Sequence, residues 1–243
     1  MALPKIATIK HELTLPSSGE KITFRPFLVK EEKILMMALQ SGEAKDMVMG
    51  LKEIINNCVE KDLKVDTLPP FDLEYIFLQL RARSIGDIIP ISYSIPEELC
   101  KDEKKACAFE TELNFDDIKV EKNENHKDLI DLTDTIKVKM RYPDMEASAT
   151  MTGVEGEDMV NKTFDIIKQC IEYVVDGEEM HKLTDYTKQE SDEFLNSLST
   201  HQFKEIQTFF DTMPKLKHEI TAKCKVCGKE NERVLEGMGD FFS

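Results

Sequence analysis

Cys224 and Cys227 stand two residues apart in the run CKVCG, with a glycine directly behind the second thiol. That spacing turns two sulfurs towards one metal ion, and the glycine permits the positive φ needed at the turn. A structural zinc site takes four protein ligands, so this hairpin supplies half of one. Cys100 and Cys107 offer two more thiols, although their separation exceeds that of the usual knuckle. His218 and His126 are the substitutes. Two other readings compete with zinc: thiols that hold nothing, and a CxxC disulfide. Redox use favours a thiol at a helix N-terminus, where its pKa falls. Here the motif lies between strand-like segments. The remaining pair, Cys58 and Cys170, falls on the apolar faces of helix-like runs, where free cysteine packs as a small hydrophobe.

No other group of residues suggests a reaction. The histidines at 11, 126, 181, 201 and 218 are scattered, with no HExxH pair. The chain contains neither GxxxxGK[ST] nor GxGxxG. No catalytic residue and no organic cofactor is assigned, and the chain reads as a binding protein. A zinc- or thiol-dependent enzyme is the alternative from another class. Met36, Met37, Met47 and Met49 cluster near the start; such thioethers fill cores or line adaptable surfaces, and core filling is expected.

The formal charge of -15 repels phosphate backbones, which argues against direct nucleic-acid binding. It suits basic protein partners and solubility equally well. No run approaches the roughly 18 apolar residues of a membrane helix. The opening MALPKIATIKHELTL has no apolar core or cleavage site, so a cytosolic protein is expected.

These thiols need elements to carry them. Alternation over 21–27 predicts a strand ended by Pro26. Helical spacing follows over 28–42, about 45–60, and from Phe71. Residues 88–95 and 109–115 read as a hairpin, and the polar run 119–127 as a linker. The second half reads as a strand over 135–142, a helix over 158–175, helices over 187–198 and 200–212, then a hairpin formed by 216–223 and 232–236. IINNCVE from Ile54 and IIKQCIE from Ile166 match in pattern, and strand, helices and cysteine hairpin occur in that order twice. The expected fold is therefore α+β. It comprises two similar helical units, 1–125 and 126–243, each with a small antiparallel, zinc-knuckle-like hairpin, related by internal duplication.

Three segments carry a family resemblance: ITFRPFLVKEEKILMMA from Ile22, LEYIFLQLRARSIGD from Leu73, and FFDTMPKLKHEITAKCKVCGKENERVLEGMGDFF from Phe209. Together they resemble the T4-type bacteriophage baseplate hub subunit and hub assembly protein family across essentially the whole chain. The resemblance implies a non-enzymatic myovirus tail protein, a hub component or an assembly factor. Its partners would be other hub or tail proteins, including the tape-measure protein. It would act in the host cytoplasm during assembly and in the tail baseplate of the virion. A tail-assembly chaperone absent from the mature virion is the alternative. A structural zinc ion at Cys100, Cys107, Cys224 and Cys227 is the expected cofactor.

Overall fold

The computed structural model describes residues 7–60, 63–94, 108–150, 157–224 and 228–237. The chain forms two compact units, Met1–Val65 with Phe71–Glu121 and Lys215–Ser243, and Asp66–Pro70 with Lys122–Pro214. Small antiparallel sheets and helices alternate, in keeping with an α+β fold.

The first unit opens on a hairpin that the sequence pattern half reveals. β1 (His11–Thr14) pairs with β2 (Lys21–Phe24), His11 opposite Phe24. Ile22 and Phe24 point inward as the alternation predicts. α1 (Val29–Ser41) stops at Gly42, whose φ of 71° is the left-handed conformation expected of a glycine stop. α2 (Ala44–Cys58) buries Leu51, Ile54, Ile55 and Cys58, the predicted stripe. α3 (Pro70–Ile85) is buried nearly all round, and its Asp72 accepts bonds from the backbone N–H and hydroxyl of Ser17. β3 (Ile88–Ser94) and β4 (Ala108–Asn114) form the expected hairpin. The segment read as a linker instead begins with a strand, β5 (Lys119–Glu121).

α1 and α2 approach closely at Gly50. A Cβ added there would stand 3.0 Å from the Cβ of Ala38, which is fixed to its helix and cannot swing away. Replacing Gly50 by Leu should therefore lower stability by about 1–3 kcal/mol through overpacking. Denaturant unfolding measures this, and an unchanged midpoint would refute the close contact.

The second unit is built on a four-stranded sheet ordered β6-β7-β8-β9: β6 (Leu129–Asp131), β7 (Ile136–Met140), β8 (Ile171–Asp176) and β9 (Glu179–Lys182). Between β7 and β8 lie α4 (Met145–Thr150) and α5 (Glu157–Cys170). The helix expected over 158–175 thus ends at Cys170, and its last residues form a strand. Cys170, Ile171 and Val174 suit a helix face, so spacing alone misleads; pairing of β8 with both β7 and β9 decides for the strand. α6 (Lys188–Ser197) and α7 (Thr200–Asp211) both start with capping boxes. Thr187 and Glu190 exchange backbone bonds at one, Ser199 and Gln202 at the other. The core gathers Val138, Met140, Ile167, Cys170, Leu195, Ile206 and Phe209.

The chain then returns to the first unit. β10 (Lys215–Lys223) pairs with β5 on one side and with β11 (Glu230–Glu236) on the other. Leu216, Ile220, Cys224 and Leu235 pack with Leu78 and Ala82 of α3 and with Leu113, Phe115 and Ile118. These units differ from the expected 1–125 and 126–243 chiefly in this hairpin. Its apolar face is covered by the first unit, so both cysteine-flanked hairpins belong to one unit.

Candidate functional site

Cys224 directly follows β10 and is buried. Its N–H donates to the Lys229 carbonyl, and its own carbonyl accepts from the Gly228 N–H, both at 2.9 Å. Gly228 has a φ of 70°, the conformation expected from the sequence. Cys100, Cys107 and Cys227 lie outside the described residues. Among the described residues no group of three His, Cys, Asp or Glu side chains is arranged for a metal.

The two histidine substitutes are poor ligands. His218 shares the inward face of β10 with Cys224, but six residues of strand put it about 20 Å away. His126 uses both ring nitrogens, bonding the Thr212 hydroxyl and the Tyr142 hydroxyl at 3.0 Å each.

β3–β4 and β10–β11 rise from a common base. β4 ends where the chain turns through Phe115–Asp117 into β5, and β5 pairs with the start of β10. The strand ends at Ser94, Ala108, Lys223 and Glu230 therefore point the same way within the unit. Further along, the Arg233 guanidinium sits 3.9 Å from the centre of the Tyr93 ring.

A second arrangement, absent from the motif reading, occurs once in each unit. The Arg25 N–H donates to the Cys58 carbonyl (3.0 Å), and its guanidinium to the Asn57 carbonyl (2.8 Å). The Arg141 N–H donates to the Cys170 carbonyl (2.7 Å), and its Nε–H to the Gln169 carbonyl (2.7 Å). Each arginine thus satisfies the orphan carbonyls of a helix ending in a cysteine. Phe24, just before Arg25, bridges to Val59, just after Cys58. Met140, just before Arg141, pairs with Ile171, just after Cys170. The signal was present in the sequence as Arg after a strand, a nearby proline, and the two IIxxC runs.

The thiols in these arrangements are not nucleophiles. Burial pushes Cys58 up to about 11 and Cys170 up to about 12, so both stay protonated at neutral pH. Their role is core packing, as expected.

The methionine expectation is overturned. Met36, Met37 and Met49 are mostly exposed, as are Val29 and Leu39. Helical spacing puts Val29 and Met36 on one outer face of α1.

Among the clefts of the second unit, two bring charged or aromatic polar groups together. One, of about 340 Å3, is lined by Ile136, Val174, Leu183 and Phe194, with His181 bonded to the Tyr186 hydroxyl at 2.7 Å. The other, of about 600 Å3, is polar and includes Arg141, Lys168, Lys182 and Lys188. No described helix is long and apolar enough to cross a membrane.

Residues 6–243 match a family model described as T4 bacteriophage base plate protein. No curated protein and no solved structure matches the chain.

Proposed function

From the premise that the chain belongs to the T4 bacteriophage base plate protein family, we propose that it acts without catalysis in assembling the baseplate hub, as a hub subunit or assembly factor. The carrying observation is the family match over residues 6–243. The apolar outer face of α1, with Val29, Met36 and Met37 in water, supports a surface that partner tail proteins cover. Mass spectrometry of purified tails and of hub intermediates tests this. The chain is expected in at least one of them, and tails should fail to form when its gene is removed. Absence from both, with normal tails, refutes the proposal. Presence only in intermediates selects the chaperone reading.

We infer also that the two units arose by internal duplication, which the recurring Arg25–Cys58 and Arg141–Cys170 arrangements support.

For the cysteine hairpins we propose a structural zinc ion held by Cys100, Cys107, Cys224 and Cys227. The turn at Cys224 and Gly228, and the common direction of the two hairpins, support it. Such an ion would cross-link two hairpin ends within the first unit and so add to its folding free energy. Metal quantification should find about one zinc per chain, lost in Cys224→Ala together with thermal stability. Metal-free protein, or zinc retained by that variant, rules the site out.

A further inference from the structure

The two arginine arrangements differ in one respect. Arg25 has a carboxylate partner: Glu31, fully buried, accepts from Arg25 Nη2 at 2.9 Å. Glu31 lies six residues after its arginine, in the first turn of α1. Six residues after Arg141, in the first turn of α4, stands Ala147. The backbone duty has been reassigned there, since the Ala147 N–H donates to the Asp144 carboxylate at 2.8 Å. The carboxylate that would face the arginine has no counterpart. Arg141 uses its Nε–H on Gln169, and its two Nη groups have no hydrogen-bond or ion-pair partner among the described residues.

Arg141 lines the 600 Å3 cleft, as does Lys182, which likewise has no carboxylate partner among the described residues. Lys168, in the same cleft, is already paired with Asp165 and Asp192. Lys188 reaches Asp165 only at 3.9 Å. Glu172 is an opposing charge on the cleft wall. Two cations that line one concave site without a described carboxylate partner offer it a local positive charge, and a guanidinium fork matches a carboxylate in geometry.

We propose that Arg141 and Lys182 form a receptor for a carboxylate of an acidic segment on a partner protein, filling the place that Glu31 fills beside Arg25. The proposal deepens the assembly reading and rests on it for the class of partner. The overall negative charge opposes phosphate backbones and acidic peptides alike at long range, but salt screens it beyond about 8 Å, so a short carboxylate segment in the cleft meets mainly the cations that line it.

The test uses the purified full chain and a fluorescein-labelled oligoglutamate peptide, with oligoglutamine as control. Binding is read by anisotropy and by NMR shifts at Arg141 Nε and the backbone amides of Ile171 and Lys182. The glutamate peptide should bind, weaken with salt, and shift those signals. Lys182→Glu, a change at an exposed side chain, should weaken it about tenfold, as should Arg141→Gln. Lys204→Glu, on exposed α7 surface, should leave it unchanged. Three results overturn the proposal: equal binding of oligoglutamine, no response of binding to Lys182→Glu, or an oligonucleotide that displaces the peptide at lower concentration. Because the isolated chain is used, these failures leave the presence of the protein in tails and hub intermediates to stand or fall by itself.

Discussion

Replacing Phe209 by alanine should cost the second unit about 3–5 kcal/mol, the range for an aromatic removed from a packed core. Phe209 on α7 is buried and lies at the centre of a ring cluster. The His126 ring is 5.0 Å from it, Tyr142 5.5 Å, and Phe210 5.2 Å edge-on. His126 bridges this cluster to the hydroxyls of Tyr142 and Thr212. Burial is the leading cause that holds His126 below its ordinary pKa, so the ring is neutral and suited to paired hydrogen bonds. Truncation leaves a void beside these polar groups, adding the loss of ring contacts to the loss of buried area. Hydrogen exchange separates this effect from the first unit. Amides of β7 and β8 should exchange faster in Phe209→Ala, while those of β3 and β4 stay unchanged. Phe209→Leu should recover most of the loss. A change under 1 kcal/mol, or equal acceleration in both sheets, would show that Phe209 does not hold its unit together.

Much of this architecture is legible in the sequence. α1, α2, α6 and α7 each have an apolar face of helical period and a recognisable stop or start, α3 is a longer run buried nearly all round, and β3–β4 alternates cleanly. What escaped has a physical reason in each case. β5 has three residues and one apolar side chain, too few for a period, and its partner β10 lies some ninety residues away. β8 carries side chains that satisfy helix and strand spacing alike, so only its neighbours in the sheet distinguish them. The core role of Cys58 and Cys170 is legible in the sequence, whereas the arginines that cap their helices are not. Arg25 and Arg141 act through backbone carbonyls, which leave no mark in the side-chain pattern. The cysteine pairs were legible as types and spacing, whereas the placement of both hairpins in the first unit depended on which apolar surface β10 covers.

Glu31→Ala should destabilise the first unit by about 3–5 kcal/mol at neutral pH, the cost of leaving one partner of a buried ion pair unmatched. The Glu31 carboxylate has no solvent exposure, while Arg25 is 17% exposed. It also takes the Leu28 N–H at 2.9 Å at the start of α1 and meets the Lys30 ammonium at 3.1 Å. Burial alone would push its pKa up. The Arg25 hydrogen bond, the Leu28 N–H and Lys30 outweigh burial and bring it down to about 2. Since the folded pKa lies below the ordinary 4.5, the unfolded chain binds the proton more readily. The stabilisation is therefore complete above about pH 4.5 and is lost as pH falls towards 2; the shift corresponds to about 3 kcal/mol. Glu31→Gln tests the charge separately, because an amide oxygen can still accept the Leu28 N–H but cannot neutralise Arg25. The stability gap between wild type and Glu31→Gln, measured by denaturant unfolding at a series of pH values, should be widest near neutrality and narrow steadily below pH 4.5. A gap that stays constant with pH would mean that the carboxylate serves α1 by shape alone. The contrast with Arg141 would then lose its electrostatic meaning, since Ala147 would lack nothing that Glu31 provides.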